Sequence, residues 1–224
     1  MLSTATFQTY DALGTSTLDA GIVDVGSVSI ACLTCHDGTQ ALDNILNDSG
    51  SGGYNATGGG AGGLGYTWTS TDGSLDATGT FQGSVDDGGT NIFEIGVDLR
   101  NDHPIGVQYG GGGVTGGTLT TRDTDFTTPV RIGTQDRWYV DNPLSGTVGT
   151  FDKWDFKLYT RDTSGVTARN GVPLAGAPEP FVECGSCHDP HLETTTFLRI
   201  DPADNPDGAR SNSGSRVCLT CHTK

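Results

Sequence analysis

The sequence predicts a mostly irregular chain with short helices at three C-x-x-C-H motifs and a few short β-hairpins. Three observations carry that expectation. Apolar residues fill only 33% of 224 positions and glycine takes 35 of them, a thin supply of side chains for a core of this length. Runs of β-branched and aromatic residues are short and broken by Gly, Asp and Asn. The six cysteines are confined to Cys32-Leu33-Thr34-Cys35-His36, Cys184-Gly185-Ser186-Cys187-His188 and Cys218-Leu219-Thr220-Cys221-His222.

C-x-x-C-H is the attachment signature of c-type haem, and its spacing has a physical reason. On a helical turn, cysteines at i and i+3 share one side, where both reach the two vinyl groups of one porphyrin. A histidine at i+4 lies over the first cysteine and directs a ring nitrogen at the iron. Three copies use all six cysteines and three of only five histidines. The sequence thus predicts three covalently bound haem c groups. Their thioethers fall at Cys32, Cys35, Cys184, Cys187, Cys218 and Cys221, and their irons at His36, His188 and His222. Porphyrins are large apolar plates and would supply the interior that side chains do not. The expected fold is therefore haem-cored, and largely disordered without haem.

Other uses of cysteine explain less. A zinc ribbon on Cys184, Cys187, Cys218 and Cys221 leaves Cys32 and Cys35 over and the histidines idle. A disulfide framework fits an exported acidic protein, but three C-x-x-C-H units are an odd way to staple this chain. Iron–sulfur ligation again gives the histidines no task.

A net charge of −15 and the lack of any basic run argue against nucleic acid as a partner. No apolar stretch approaches membrane-spanning length. The N-terminus lacks the basic region and apolar block of a signal peptide. Haem is normally attached outside the cytoplasm, so the expectation is an exported protein, extracellular or at the cell surface, with the periplasm as alternative. Its leader would have been removed, making Met1 the first mature residue.

Along the chain, residues 1–50 read as an N-terminal monohaem segment. Residues 1–30 are Ser/Thr/Ala-rich and extended or irregular. A helix is expected over Val28–Cys35, ended by Asp37-Gly38, with further turns over Thr39–Leu46 from an N-cap at Thr39. Residues 51–175 read as a Gly/Thr-rich loop and β-hairpin insert carrying a distal histidine, an independent β domain being the alternative. Eight of the 14 residues from 52 to 65 are glycine, which excludes packed helix there. Strands are expected at Tyr66–Ser70, Ile92–Leu99, Asp136–Val140 and Phe156–Arg161, with a second glycine cluster at 110–117. Gly171–Pro180 reads as a linker into a C-terminal dihaem module, residues 176–224, co-folded with the rest. Within it, Thr195–Ile200 reads as a short strand. Asp201–Gly208 reads as an acidic turn whose spacing fails the EF-hand pattern. Trp68, Trp138 and Trp154 are expected to pack on porphyrin faces.

Three six-coordinate irons need six axial ligands, and the motifs supply three. Only His103 and His191 remain. Pro104 holds the backbone at His103 extended and presents its ring stiffly. His191 follows His188 too closely to turn back onto the same iron, so it projects to a neighbour, most simply the haem of His222. The last position has three candidate solutions. Met1, the only methionine, supplies its thioether or α-amine, within the chain or across an interface; another subunit supplies the ligand; or the site is open.

Several stretches are familiar together: Cys32–Gly38 (C-L-T-C-H-D-G), Asp102–Gly106 (D-H-P-I-G), Glu183–His191 (E-C-G-S-C-H-D-P-H), Phe197–Arg199 (F-L-R) and Val217–Lys224 (V-C-L-T-C-H-T-K). They resemble the doubled C-x-x-C-H multihaem cytochromes of metal-reducing and sediment bacteria, most of all the outer-surface cytochromes that polymerise into extracellular filaments. The resemblance covers about a third of the chain and leaves the Gly/Thr-rich middle unmatched. It implies bis-histidine, low-spin, low-potential haems in a closely spaced chain with little regular secondary structure. It also implies an axial histidine donated by the N-terminal part of an adjacent subunit. Carried over, it puts His103 on the His36 haem, His191 on the His222 haem and a donated ligand on the His188 haem. Residues 1–31 contain no histidine, so Met1 would have to substitute.

The function expected is electron transfer, not catalysis, with copies of the chain and redox donors and acceptors as partners. A monomeric carrier, a small haem reductase using an incompletely ligated iron, and an adhesive surface filament are the rivals.

Overall fold

The computed structural model describes residues 3–13, 20–37, 94–100, 102, 104–111, 113–115, 118–120, 123–142, 147–194, 197–200 and 213–223. Contacts divide the chain into two units. One comprises Met1–Gln8 and Ser29–His103, the other Thr9–Val28 and Pro104–Lys224.

The second unit is built on an antiparallel sheet of β1 (Val107–Gln108), β4 (Val130–Arg131), β5 (Trp138–Val140), β6 (Phe156–Asp162) and β7 (Pro178–Val182), in the order β1-β7-β6-β5-β4. β2 (Gly113–Thr115) and β3 (Thr118–Thr120) form a separate hairpin. β6 is the spine. It pairs with β5 through Trp138↔Leu158 and Val140↔Phe156, and with β7 through Tyr159↔Phe181 and Asp162↔Pro178. Opposed residues share a face, so Trp138, Val140, Phe156 and Leu158 form one apolar patch. Tyr109 joins them in a buried cluster, and Phe126, Val182, Cys187, Ile200, Val217 and Cys221 pack against it. Each large side chain buried there contributes about 1.5–3 kcal/mol. A side-chain core thus exists in addition to any interior that haem supplies.

The strands expected at Asp136–Val140 and Phe156–Arg161 are β5 and β6. The sheet goes beyond hairpins because β1 pairs with β7, Val107 with Val182, across a long stretch of sequence. The linker expected over Gly171–Pro180 is shorter than it read, since β7 begins at Pro178. Proline serves here because β1 covers only Phe181 and Val182, leaving 178–180 unpaired on the side where an N–H would be needed. Thr195–Ile200 is not a strand over its described part. Residues 197–200 form a turn, with Phe197 at φ 58° and a single bridge between Leu198 and His188. Tyr66–Ser70, Thr39–Leu46, Trp68 and Asp201–Gly208 lie outside the described residues.

Gly106 is a pivot of this unit. Its φ of 71° is open mainly to glycine, and an added Cβ would stand 2.8 Å from the Val23 carbonyl oxygen. Its N–H donates to Val182 and its carbonyl accepts from Val23, binding the 20–23 segment and β7 together. Val107 also bridges to Ile22, which covers the outer edge of the sheet.

In the first unit, Ile92–Leu99 makes no strand over its described residues. Instead Gln8 pairs with Asp98 in an isolated parallel bridge, with Gln8 N–H donating to Val97 and Leu99 N–H to Gln8 at 2.9 Å each. Helix α1 (Ser27–His36) covers the span expected around Val28–Cys35 and buries Ser29 and Leu33, one turn apart. In the second unit lie two further α-helices, α2 (Cys184–Cys187) and α3 (Ser213–Cys221), and two 3-10 turns, Tyr10–Leu13 and Tyr109–Gly111. Among the described residues, no helix is long and apolar enough to cross a membrane.

Candidate functional site

All three motifs adopt the turn their spacing calls for. His188 N–H donates to the Cys184 carbonyl at 3.0 Å and His222 N–H to the Cys218 carbonyl at 2.8 Å. Each histidine therefore closes a helical turn on the first cysteine of its motif. α1 runs through His36, and Asp37 N–H donates to Leu33 at 2.8 Å. No disulfide joins any of the six cysteines.

The first motif belongs to the first unit from Ser29 on. Ser3 N–H donates to Thr34 Oγ1 at 3.0 Å and Ser3 Oγ to Asp37 Oδ2 at 2.5 Å. The His36 carbonyl accepts from both Ile95 and Gly96, at 2.8 and 3.1 Å. Cys32 is exposed and Cys35 half-buried.

In the second unit, the Cys184–His188 turn is anchored by two groups that sequence reading passed over. Glu183, almost fully buried, receives the Gly26 N–H at 3.2 Å and pairs with Arg161 at 3.3 Å. Its own N–H donates to Ser186 Oγ at 3.0 Å, tying down the turn from inside. Gly185 is required for space, because a Cβ there would run into the Tyr159 hydroxyl. Behind the turn stands Arg199, whose side chain is 8% exposed. It donates to the Lys153 carbonyl at 2.9 Å and pairs with Asp189 Oδ2 at 3.1 Å. Asp189 in turn holds His191, accepting its N–H at 3.1 Å and lying 2.9 Å from Nδ1. Burial alone would raise the Asp189 carboxyl, but the His191 hydrogen bonds and Arg199 overcome it and hold it below its ordinary value. The His191 ring is 91% exposed. With Nδ1 on the carboxylate, Nε2 is the nitrogen left to face outward.

The third motif docks on residues 125–127. Thr127 N–H donates to the Cys221 carbonyl and Thr223 N–H to the Asp125 carbonyl, both at 2.8 Å. The His222 ring lies 4.3 Å from that of Phe126, tilted by 45°. Tyr109 meets Phe126 edge-on and donates its hydroxyl to Thr127 at 2.8 Å.

The second and third motifs thus come together on one cluster, where Cys187 and Cys221 both pack. Burial, with Cys218 adding, pushes the Cys187 thiol up to about 11. Burial, with Cys187 adding, pushes Cys221 up to about 12. Such a setting opposes thiolates and suits neutral thioethers. Among the described residues, no three His, Cys, Asp or Glu side chains converge as a metal-holding group. The donor sets fit haem c: in each of these motifs two sulfurs one helical turn apart, the second on the apolar cluster, a histidine one residue on, and at His222 an aromatic ring against it.

His103 and Met1 lie outside the described residues. Of the described tryptophans, Trp138 is in the buried cluster, whereas Trp154 has Lys153 Nζ 4.5 Å over its ring. Arg199 and Asp189 were missed because nothing in sequence separates a supporting arginine from a solvated one. The D-P-H run after His188 was the available signal for Asp189.

Residues 179–224 match the family model described as the doubled CXXCH motif. No curated protein matches the chain. The match covers the second and third motifs together and supports a multihaem c-type cytochrome engaged in electron transfer.

Proposed function

We propose that this protein is a trihaem c-type cytochrome carrying electrons along closely spaced haems, exported and assembled with copies of itself into an extracellular filament. The observation that carries the reading is the placement of two C-x-x-C-H turns on a single apolar core, through Cys187 and Cys221. Each bound haem supplies an iron that alternates between ferric and ferrous states without exchanging ligands. The residues do the rest. His36, His188 and His222 ligate from their motif turns, and the sheet cluster excludes water from the second and third sites, which keeps reorganisation small. Asp189 fixes the tautomer of His191, which turns Nε2 toward the haem of His222. His103 ligates at the first motif. Met1 supplies the remaining ligand, on the His188 haem of an adjacent copy. The filament rests on the resemblance of the motif-bearing stretches and on five histidines facing six axial positions.

Spectroelectrochemical titration tests the electron-transfer reading. The expected result is three reversible one-electron steps in low-spin haems. A high-spin ferric site that binds cyanide rapidly would point to a reductase instead. Cryo-electron microscopy of secreted material tests the assembly; monomers alone would remove the filament.

A further inference from the structure

Two buried nitrogen donors beside the doubled motif meet no acceptor among the described residues: Trp138 Nε1 and Arg216 Nη1. Trp138 is 3% exposed and belongs to the cluster on which Cys187 and Cys221 pack. Arg216 lies on α3, two residues before Cys218 and next to Val217, which packs on that cluster too. A buried N–H without a partner carries its full desolvation penalty, and native interiors hold few of them. Both are donors only, and one is cationic, so the missing partner is an acceptor and an anion is favoured. Arg131, over the same indole ring at 5.5 Å, is already engaged by Asp136 and the carbonyls of Thr134 and Gln135.

We propose that Trp138 Nε1 and Arg216 Nη1 are carboxylate donors, each taking a propionate oxygen of a haem held at the doubled motif. The inference rests on the haem reading above. A propionate entering an apolar cluster in a chain of net charge −15 needs local donors. The guanidinium offers a charge-assisted bond to a carboxylate oxygen and the indole N–H a neutral one. Neither residue touches iron; both act by holding the porphyrin edge.

The test uses the haem-loaded protein and the variants Trp138→Phe, Arg216→Gln and Arg216→Lys. Intact mass comes first: a parent protein without haem overturns the haem reading itself, before these propionate contacts are reached. With haem present, resonance Raman and redox titration follow. The expected result is a shifted propionate-bending band in Trp138→Phe and Arg216→Gln. Arg216→Gln should also lower the midpoint potential of one haem, because loss of the cation favours the ferric state, and Arg216→Lys should restore most of it. Bands and potentials at parent values in all three variants overturn the propionate contacts, as does a higher melting temperature of Trp138→Phe with an unmoved band. If Trp138→Phe fails to load haem, the Arg216 pair alone decides.

Discussion

One five-residue motif meets two different surroundings in this chain. In the second unit, Cys187 and Cys221 lean on Tyr109, Trp138, Val140, Phe156 and Leu158; the Cys184–His188 turn is held by buried Glu183 and Arg199, and the third motif by residues 125–127. In the first unit, the motif is steadied by hydrogen bonds from Ser3, Ile95 and Gly96, with Cys32 exposed as Cys218 is in the second unit. The motif sets the local turn, which is the same in all three. The surroundings set the dielectric, which is not. Burial disfavours the charged ferric state, so the His222 haem should lie at higher potential than the His36 haem, each having two histidines in the proposed ligation.

Cutting the core should break the contrast most sharply. Phe156→Ala, at a side chain 1% exposed, should cost about 3–5 kcal/mol. Thermal melts followed at the haem bands should show the doubled-motif signal lost first and the first-motif signal retained. Equal loss of both would mean that the two units do not differ as described. Arg199→Leu strands the Asp189 carboxylate and releases the Lys153 carbonyl, and should cost about 2–3 kcal/mol. Denaturant unfolding would measure that, and the low-spin spectrum should report a loosened His191. Gly106→Ala forces φ of 71° on a side chain that meets the Val23 carbonyl, and should cost about 1–3 kcal/mol. A melting temperature equal to the parent would show that this pivot is not under constraint.

The smallest effect sharpens the comparison through pH. Burial pushes the Asp155 carboxyl above its ordinary value, the N–H groups of Asn142 and Asp152 oppose this, and the charges of Asp152 and Asp141 add to the rise. A raised folded-state pKa contributes stability that is complete below about pH 3.9 and is lost as pH rises through the folded value. Melting of the second unit in the parent should therefore fall between mildly acidic and neutral pH more than in Asp155→Asn. Parallel curves would contradict the burial of this carboxylate.

What the sequence disclosed was whatever local spacing encodes. The three turns at Cys32–His36, Cys184–His188 and Cys218–His222 follow from i, i+3, i+4 geometry, and β5 and β6 follow from their β-branched and aromatic runs. What it hid was non-local. Nothing near Val107 marks Val182 as its partner, and the prolines at 178 and 180 read as punctuation because their unpaired side appears only once β1 is placed. Arg199 resembles any surface arginine until Asp189 and the Lys153 carbonyl surround it. Gly185 reads as a free position of the motif, yet a Cβ there would run into the Tyr159 hydroxyl.

The claim on which all of this depends is that three porphyrins are bonded to the chain through sulfur. Intact mass spectrometry of native, denatured protein tests it most directly. The account predicts the polypeptide mass plus three haems, falling to two in a Cys32→Ser, Cys35→Ser variant. The bare polypeptide mass, or that mass plus a metal ion, would contradict it.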